Sequence, residues 1–394
     1  MKELIIDEHG NDKKIMYVED EKIIERYEEN EQNHTIEGNI YIGKVQNVLS
    51  GLQAAFVDLG NGKNAFIHLK DILPKRDIND ESNEKERIEE KYKIADYVRP
   101  GDPIIVEVKR DETSNKGARV STHISLKGRF IVYMPNATFV TCSQKIKNEK
   151  KRQELIKLVR DNIQQGTGAI IRTVSENAKH EDIIADVKQL VDNWNNIRKM
   201  EVNNYPMEIF NSGGIIKKLV IDLVDADLDR IVVTTKETYD KVNEILKEIE
   251  KETKVELTKE NVLEWYNLEK ELKAADERKV WLKSGAFITI DKTEALTAID
   301  VNSGKFVGKN DLEETIFDVN EEATYEIARQ MRLRDIGGIV LIDFIDMFND
   351  DHKKRIIELM KEAVSGDRSR VQIEEFTKLN LLEITRKHIC SNYK

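Results

Sequence analysis

The chain has 394 residues and a formal net charge of −11, with 39% hydrophobic and 35% charged residues. A chain of this length exceeds what one hydrophobic core usually serves, so we expect about two to four domains. The acidic balance excludes a uniformly basic nucleic-acid coat, but local basic patches can still bind nucleic acid. No apolar run is long enough to cross a bilayer, the N-terminus has no signal-peptide core, and two cysteines suit a reducing compartment. We therefore expect a soluble, cytoplasmic protein without a membrane partner.

The first third of the chain predicts a small β-barrel. Residues 1–34 predict two short strands followed by a polar helix. Five short strands are then predicted, at 39–45, 53–60, 64–69, 102–108 and 117–125. Asn61-Gly62 is a hairpin signal between two of them, and five short strands with such turns are typical of an OB-fold. A charged insertion at 75–97 interrupts the strands, and we expect it to be a solvated loop or helix.

The middle of the chain mixes strands with helices. The pattern predicts strands at 128–134 and 168–173, and helices at 147–162 and about 183–197. Residues 214–278 predict two more strands, at 218–223 and 230–234, and then helices. These segments predict a mixed architecture, without an internal repeat.

Two aromatic residues, Phe56 and Phe66, lie on adjacent predicted strands of the barrel. If both point outward, they form a stacking platform for single-stranded bases, each worth about 1–3 kcal/mol. If both point inward they are core aromatics, which is the commoner case. Basic residues that lie in or beside the same strands favour the binding face: Lys44, Lys70, Lys116 and Arg119.

Arg172 and Thr173 end a predicted strand. An arginine beside a threonine can clamp a phosphate through a bidentate contact and a hydroxyl. The alternative is an ordinary surface arginine, and on these residues alone the signal for a phosphate clamp is weak. The basic stretch at 145–160 could be a helix face that tracks phosphates, but a solvated helix face is the commoner case.

Two acidic clusters follow apolar runs in the last quarter of the chain. Asp300 and Asn302 follow a strand-like run at 295–299, whereas Asp343 and Asp346 follow another at 338–342. A long helix is predicted between them, at 312–334. A strand-helix-strand unit implies parallel, adjacent strands, so we expect Asp300 and Asp343 to meet.

The pair of aspartates suggests a metal site. A carboxylate at the end of a buried strand is costly unless it is paired or binds a cation. One or two carboxylates, with waters and substrate phosphate, are the usual ligands of Mg²⁺. The chemistry that this predicts is metal-assisted attack on a phosphodiester. Solvated aspartates at two surface strand ends are the alternative.

Taken together, these strings resemble the ribonuclease E/G family of bacterial endoribonucleases, from near the N-terminus to about Arg386. The most specific stretches are 298–303 (AIDVNS), 332–338 (RLRDIGG) and 342–347 (IDFIDM). Supporting stretches are 54–58 (AAFVD), 115–118 (NKGA) and 171–173 (IRT). The stretches are contiguous and stand in the family's order.

The resemblance implies an α+β multidomain fold. An RNase H-like subdomain would comprise residues 1–35 and 214–278, and an OB-fold RNA-binding domain would comprise 36–127. Residues 128–213 would form a sensor for the RNA 5′ end. Residues 279–394 would form a DNase I-like catalytic subdomain.

The resemblance also implies roles for single residues. Asp300 and Asp343 would bind the metal, Asn302 would assist at the scissile phosphate, and Asp346 would support the site. The RNA-binding residues would be Phe56, Phe66 and Lys116. The pocket for a 5′-monophosphate would be formed by Gly128, Val132, Arg172 and Thr173.

One departure from the family concerns zinc. The family usually continues with a Cys-Pro-x-Cys motif whose two cysteines share a zinc ion between subunits. Near the C-terminus of this sequence Cys390 is the only cysteine, so we expect no zinc link and leave a homodimer open. The expected cofactor is Mg²⁺, with Mn²⁺ as the alternative.

The resulting expectation is an Mg²⁺-dependent endoribonuclease that cleaves single-stranded RNA, prefers a 5′-monophosphate, and acts in the processing of ribosomal RNA and the decay of messenger RNA. A non-catalytic RNA-binding protein on the same scaffold is the first alternative. A metal-dependent phosphatase or DNA nuclease is the second, and it rests on the acidic pair alone.

Overall fold

The computed structural model describes residues 1–30, 34–72, 92–112, 116–200, 204–224, 228–266, 268–304 and 312–389. The chain divides into two compact units. Unit 1 comprises Met1–Asn33, Leu228–Asp240 and Lys254–Lys394, and unit 2 comprises His34–Asp227 and Lys241–Thr253. Among the described helices, none is long and apolar enough to cross a membrane. Elements are numbered in chain order.

The first sheet of unit 1 combines the N-terminal strands with two later ones. Its strands are β1 (Lys2–His9), β2 (Asp12–Glu19), β3 (Lys22–Glu29), β14 (Arg230–Val233) and β15 (Lys254–Leu257). Their order is β15-β14-β1-β2-β3, with β14 parallel to β1. The helices that follow β14 in the chain are α4 (Lys236–Glu248), whose residues from Lys241 onward belong to unit 2, α5 (Val262–Trp265) and α6 (Glu269–Ala274).

The polar helix predicted after the first two strands is wrong, because Lys22–Glu29 is a third strand. Two of its charged side chains, Glu25 and Arg26, are buried against partners far away in the sequence. Glu25 pairs with Arg332 and Arg368, and Arg26 pairs with Asp276. Charges that look solvated in the sequence are therefore part of the sheet's interior contacts.

Unit 2 contains a closed β-barrel. Its strands are β4 (Ile40–Leu49), β5 (Ala54–Asp58), β6 (Ala65–His68), β7 (Pro103–Arg110) and β8 (Arg119–Ser121). They run in the order β4-β5-β6-β8-β7, and β7 pairs with β4 to close the barrel. An added strand, β13 (Met207–Phe210), pairs with β4. The five predicted strands are confirmed.

The charged insertion predicted at 75–97 lies outside the described residues except at its end, where Ile94–Asp96 form a 3-10 turn. Asn115 and Cys390 also lie outside the described residues.

A second sheet of unit 2 follows the barrel. Its strands are β9 (Leu126–Lys127), β10 (Ile131–Met134), β11 (Val140–Cys142) and β12 (Gly168–Ile171), in the order β11-β12-β10-β9. The helices α1 (Glu149–Asn162) and α2 (His180–Lys199) bury Leu155, Val159, Ile183 and Val187 in the core beside this sheet. These strands and helices confirm the elements predicted between 128 and 199.

The strand predicted at 218–223 is wrong, because α3 (Gly214–Leu223) is a helix. Its buried apolar residues are Ile215, Ile216, Leu219, Val220, Ile221 and Leu223. Ile215, Leu219 and Leu223 recur every four residues, which is helical spacing. A short apolar run cannot be assigned to a strand or a helix by composition alone.

The second sheet of unit 1 carries the acidic clusters. Its strands are β16 (Lys279–Trp281), β17 (Phe287–Lys292), β18 (Leu296–Asn302), β19 (Gly338–Asp343), β20 (Val371–Phe376) and β21 (Leu381–Arg386). Their order is β16-β17-β18-β19-β21-β20, and only β18 and β19 are parallel neighbours among these described strands. The helix α7 (Leu312–Leu333) precedes β19, and α8 (Asp350–Ala363) follows it.

One face of this sheet packs against helices. Ile299 and Val301 of β18 and Ile342 of β19 are buried in one core with Ala323 and Ile327 of α7. Because side chains alternate along a strand, the residues between them point to the opposite face. That opposite face carries the candidate active site.

Candidate active site and RNA-binding surfaces

Asp300 and Asp343 are direct register partners on the parallel strands β18 and β19. Both residues are exposed, whereas their strand neighbours Ile299 and Ile342 are buried. The prediction that the strand-helix-strand unit brings these two aspartates together is confirmed. Their exposure means that solvent, rather than a buried partner, offsets part of the cost of placing two carboxylates side by side.

Polar neighbours orient the two acidic clusters. The Asn302 amide Nδ2 donates a hydrogen bond to Asp300 Oδ2 at 2.7 Å. The Asn380 amide Nδ2 donates to Asp346 Oδ1 at 3.4 Å. Partial desolvation raises the pKa of the Asp343 carboxyl, although its side chain stays exposed, and the nearby charges of Asp300 and Asp346 raise it further. Three negative charges, those of Asp300, Asp343 and Asp346, therefore lie together where β18 and β19 end, a place that we call the acidic edge. A bound cation would relieve the repulsion between them.

The donor set fits a hard cation held by few protein ligands. Carboxylate oxygens are the ligands that Mg²⁺ prefers, and Mg²⁺ keeps several waters instead of requiring a complete protein cage. Within the ranges that the structure describes, no group of three or more His, Cys, Asp or Glu side chains is arranged to hold a metal ion. The geometry thus offers a pair of carboxylates and not a preformed metal cage.

Phe56 and Phe66 are register partners on the adjacent barrel strands β5 and β6. Their ring centroids lie 6.1 Å apart, with the rings at 69° in an edge-on arrangement. Both rings are half-buried, whereas Val57 and Ile67 beside them are fully buried in the barrel core. The alternative that the two phenylalanines are core residues is therefore wrong, because both point out of the barrel.

Basic side chains lie close to this aromatic pair. Arg119 stands opposite Phe66 on β8 and forms an ion pair with Asp71 at 2.8 Å. Lys116 is exposed just before β8. The next residue, Gly117, passes so close to Asn64 that an added Cβ would lie 2.0 Å from the Asn64 carbonyl oxygen. This close approach fixes the backbone that carries Lys116.

The structure brings Arg172 together with Gly128. The Arg172 guanidinium donates hydrogen bonds to the carbonyl oxygens of Gly128 and Arg129, at 2.9 and 3.2 Å, and to Asp222 Oδ1 at 2.5 Å. Asp222 is a partner that the sequence did not suggest. The arginine is thus held in place by two carbonyls and one carboxylate.

The other two residues of the predicted 5′-end pocket make different contacts. The Thr173 hydroxyl donates a hydrogen bond to Ser143 Oγ at 2.8 Å. Val132 packs beside Ile170 against a small apolar cluster formed by Met134, Ala137 and Phe139. Val132 therefore contributes to the packing under the sheet.

Gly128 is required by a half-buried carboxylate, that of Asp186, which no sequence pattern singles out. An added Cβ at Gly128 would lie 2.4 Å from Asp186 Oδ1. The Asp186 carboxylate accepts backbone N–H bonds from Arg129, Phe130 and Ile131, at 3.1, 2.9 and 3.0 Å. Burial raises the pKa of Asp186 even though these three amides work to lower it. Asp186 thereby fixes the turn that carries Gly128.

The closed barrel with outward aromatics and the paired carboxylates define a class: a multidomain nucleic-acid-binding protein with an acidic site at the ends of parallel strands. The protein-family model with the description "Ribonuclease E/G family" matches residues 125–389 of this chain. The family model with the description "S1 RNA binding domain" matches residues 35–123. The predicted OB-fold barrel is thereby confirmed, because it coincides with the S1 match.

Individual relatives agree with the family match. Ribonuclease G of Salmonella typhimurium (strain SL1344) is 38% identical in an alignment of 392 residues, which covers 98% of this chain and 79% of that protein. Ribonuclease G of Escherichia coli (strain K12) shows the same identity and coverage. Ribonuclease E of Synechocystis sp. is 33% identical over 90% of this chain and 52% of its own length. The chain belongs to the ribonuclease E/G family.

Proposed function

We propose that this chain is an endoribonuclease that cleaves single-stranded RNA internally, with Mg²⁺ as its cofactor, in RNA processing and decay. Membership of the ribonuclease E/G family and the names of the relatives support the endoribonuclease activity. The match to an S1 RNA binding domain supports RNA as the ligand of the barrel. The single observation that carries the metal-dependent part is the register pairing of Asp300 with Asp343.

We assign the two sheets of unit 1 to the two parts of a split catalytic domain. The sheet of β1–β3, β14 and β15 would be the RNase H-like part, and the sheet of β16–β21 would be the DNase I-like part. The mixed sheet order and the acidic edge of the second sheet support this assignment. Residues 128–213, with Arg172 beside Gly128, would form the 5′-end sensor.

The residues of the acidic edge would have different roles in cleavage. The Asp300 and Asp343 carboxylates would hold the cation, with Asp346 adding negative charge. A bound Mg²⁺ would withdraw charge from the scissile phosphate and promote ionisation of the attacking water. Asn302, which donates to Asp300, would keep that carboxylate oriented and present its amide toward the phosphate. Attack of water on phosphorus, with loss of the 3′ oxygen, would leave a 5′-phosphate and a 3′-hydroxyl.

An assay with a short 5′-monophosphorylated single-stranded RNA tests this function. The purified chain is incubated with Mg²⁺, with Mn²⁺ or with EDTA, and the products are resolved on a denaturing gel. Internal fragments that need the metal are the expected result. Binding without cleavage at any protein concentration would reject the activity in favour of a non-catalytic RNA-binding protein.

The outward phenylalanines of the barrel should contribute to RNA affinity. Replacing Phe56 or Phe66 by Ala is expected to weaken binding by about 1–3 kcal/mol for each base that stacks on the lost ring. The dissociation constant is measured by fluorescence anisotropy with a labelled single-stranded RNA in EDTA, so that cleavage does not interfere. Phe66→Trp is the matched control, because it keeps an aromatic face and should retain affinity. An unchanged affinity in the Phe56→Ala, Phe66→Ala double variant would contradict an RNA-binding role for this face.

Arg172 should carry the preference for a 5′-monophosphate. A charge-assisted hydrogen bond is worth about 1.5–3 kcal/mol, so Arg172→Ala is expected to remove a rate preference of about tenfold or more. The measurement is the ratio of cleavage rates for 5′-monophosphate and 5′-hydroxyl forms of one RNA. Arg129→Ala is the control. The Arg129 guanidinium is held over the Phe130 ring, 4.4 Å from its centroid, so its removal should leave the ratio unchanged. The sensor assignment fails if Arg172→Ala keeps the ratio of the unmodified chain.

A further inference from the structure

The sheet face that carries the carboxylates also carries an aromatic patch. Trp281 on the edge strand β16 pairs with Phe287 on β17, which in turn pairs with Asn302 on β18. Two residues further along each strand, Lys279 pairs with Thr289, and Thr289 pairs with Asp300. Residues directly opposite each other on neighbouring strands point to the same face. Trp281, Phe287 and Lys279 therefore share the face of Asp300 and Asn302.

The three side chains form one compact group, which we call the edge patch. The Trp281 and Phe287 ring centroids lie 5.2 Å apart, with the rings at 59°. The Lys279 ammonium lies over both rings, 3.9 Å from the Trp281 centroid and 3.5 Å from the Phe287 centroid. In the part of the chain that the structure describes, the contacts of the Lys279 ammonium are with these two rings, and no carboxylate forms an ion pair with it. Its positive charge is thus held beside an aromatic surface and not against an acid.

Packing and edge protection do not account for the edge patch. Trp281 keeps 58% of its surface exposed, whereas Ile288 and Ile290 of the neighbouring strand are buried on the opposite face. A short edge strand with a lysine already discourages pairing with another chain. A large exposed tryptophan adds apolar surface to that edge, and such surface usually marks a site of interaction.

We infer that Trp281, Phe287 and Lys279 form a stacking subsite for a nucleobase of the RNA strand next to the scissile phosphate. This inference rests on the proposed function. Neighbouring strands lie about 4.8 Å apart, so Phe287 lies one strand spacing from Asn302 and Trp281 lies about 10 Å from it. An aromatic face accepts any base, and a lysine beside it can pair with the backbone phosphate. The subsite would anchor single-stranded RNA without selecting a base.

The test uses binding as well as cleavage, so that the subsite and the proposed activity can fail separately. RNA is titrated into the Asp343→Asn variant while tryptophan fluorescence is recorded. Stacking on Trp281 should quench part of the emission, and the quench should persist in Trp265→Ala and disappear in Trp281→Ala. Trp265 is the matched control because it is also an exposed tryptophan with a cation, Arg230, over its ring at 5.4 Å. A quench without cleavage in the unmodified chain would keep the subsite and reject the activity.

Affinity and an abasic substrate complete the test. Trp281→Ala is expected to weaken RNA binding on the order of tenfold, and Trp281→Phe should restore most of it. Once the cleavage position is mapped, the same RNA is prepared with single abasic nucleotides on either side of it. The loss of RNA affinity caused by Trp281→Ala should vanish when the RNA lacks the base that stacks on Trp281. Equal affinities of Trp281→Ala and Trp265→Ala, or an equal loss on every abasic RNA, would overturn the inference.

Discussion

Asp343→Asn should lower the rate of RNA cleavage by about 10³-fold or more, while RNA affinity changes little. The substitution keeps the shape of the side chain and removes one of the two charges that would hold the cation. Electrostatic stabilisation of the reacting phosphate by a metal is worth several kcal/mol, and each 1.36 kcal/mol is about a tenfold change in rate. Asp343 is the strand partner of Asp300, so either charge alone leaves the pair incomplete. The measurement is a single-turnover rate at saturating Mg²⁺ on a denaturing gel.

Variants of neighbouring aspartates make this prediction specific. Asp300→Asn should have the same effect as Asp343→Asn. Asp346→Asn should cost less, about 10–100-fold, because a supporting group acts through the residues it orients. Asp291→Asn is the matched control: Asp291 lies on β17 of the same sheet, and its carboxylate pairs with Arg278 at 2.5 Å. Cleavage by Asp343→Asn at the rate of Asp291→Asn would exclude the proposed metal site.

The pairing of Asp300 with Asp343 could be predicted because it follows from local rules. Two apolar runs joined by one long helix usually make parallel strands of one sheet, and α7 is the helix that connects β18 to β19. The barrel could be predicted for a similar reason, since its strands are short, successive and separated by turn residues. The outward direction of Phe56 and Phe66 could not, because it depends on which face of the strand the barrel closes around.

Other features depend on contacts between distant parts of the sequence. Glu25 and Arg26 make the third strand look like a polar helix, and their partners Arg368 and Asp276 are more than two hundred residues away. Gly128 meets Asp186, and Arg172 meets Asp222, only when unit 2 is folded. The edge patch likewise needs the register of β16 on β17 before Trp281 and Phe287 can be recognised as neighbours. Sequence patterns report local periodicity, and none of these contacts is periodic.

The motif at 332–338 gains a structural role from a buried ion-pair network that the sequence did not reveal. Arg386 on β21 is buried, and its guanidinium donates to Asp335 Oδ1 and to Asp367 Oδ2, both at 2.7 Å. Burial works to lower the pKa of Arg386, but the two carboxylates outweigh it and raise that pKa. The Asp335 carboxylate also accepts the backbone N–H of Ile389 at 3.0 Å. Asp335 therefore joins the segment before β19 to the end of β21.

Asp335→Ala should destabilise the protein by about 3–5 kcal/mol, because it removes one partner of a buried pair and leaves the charge of Arg386 partly uncompensated. The measurement is the free energy of unfolding from urea titrations followed by circular dichroism. Asp351→Ala is the matched control: Asp351 is exposed and pairs with Lys354 at 3.0 Å, a contact worth at most about 1 kcal/mol. Equal losses of stability in the two variants would contradict a structural role for the network. Because β21 pairs with β19 from Gly338 to Asp343, a loss confined to Asp335→Ala would show that this network stabilises the sheet that carries Asp343.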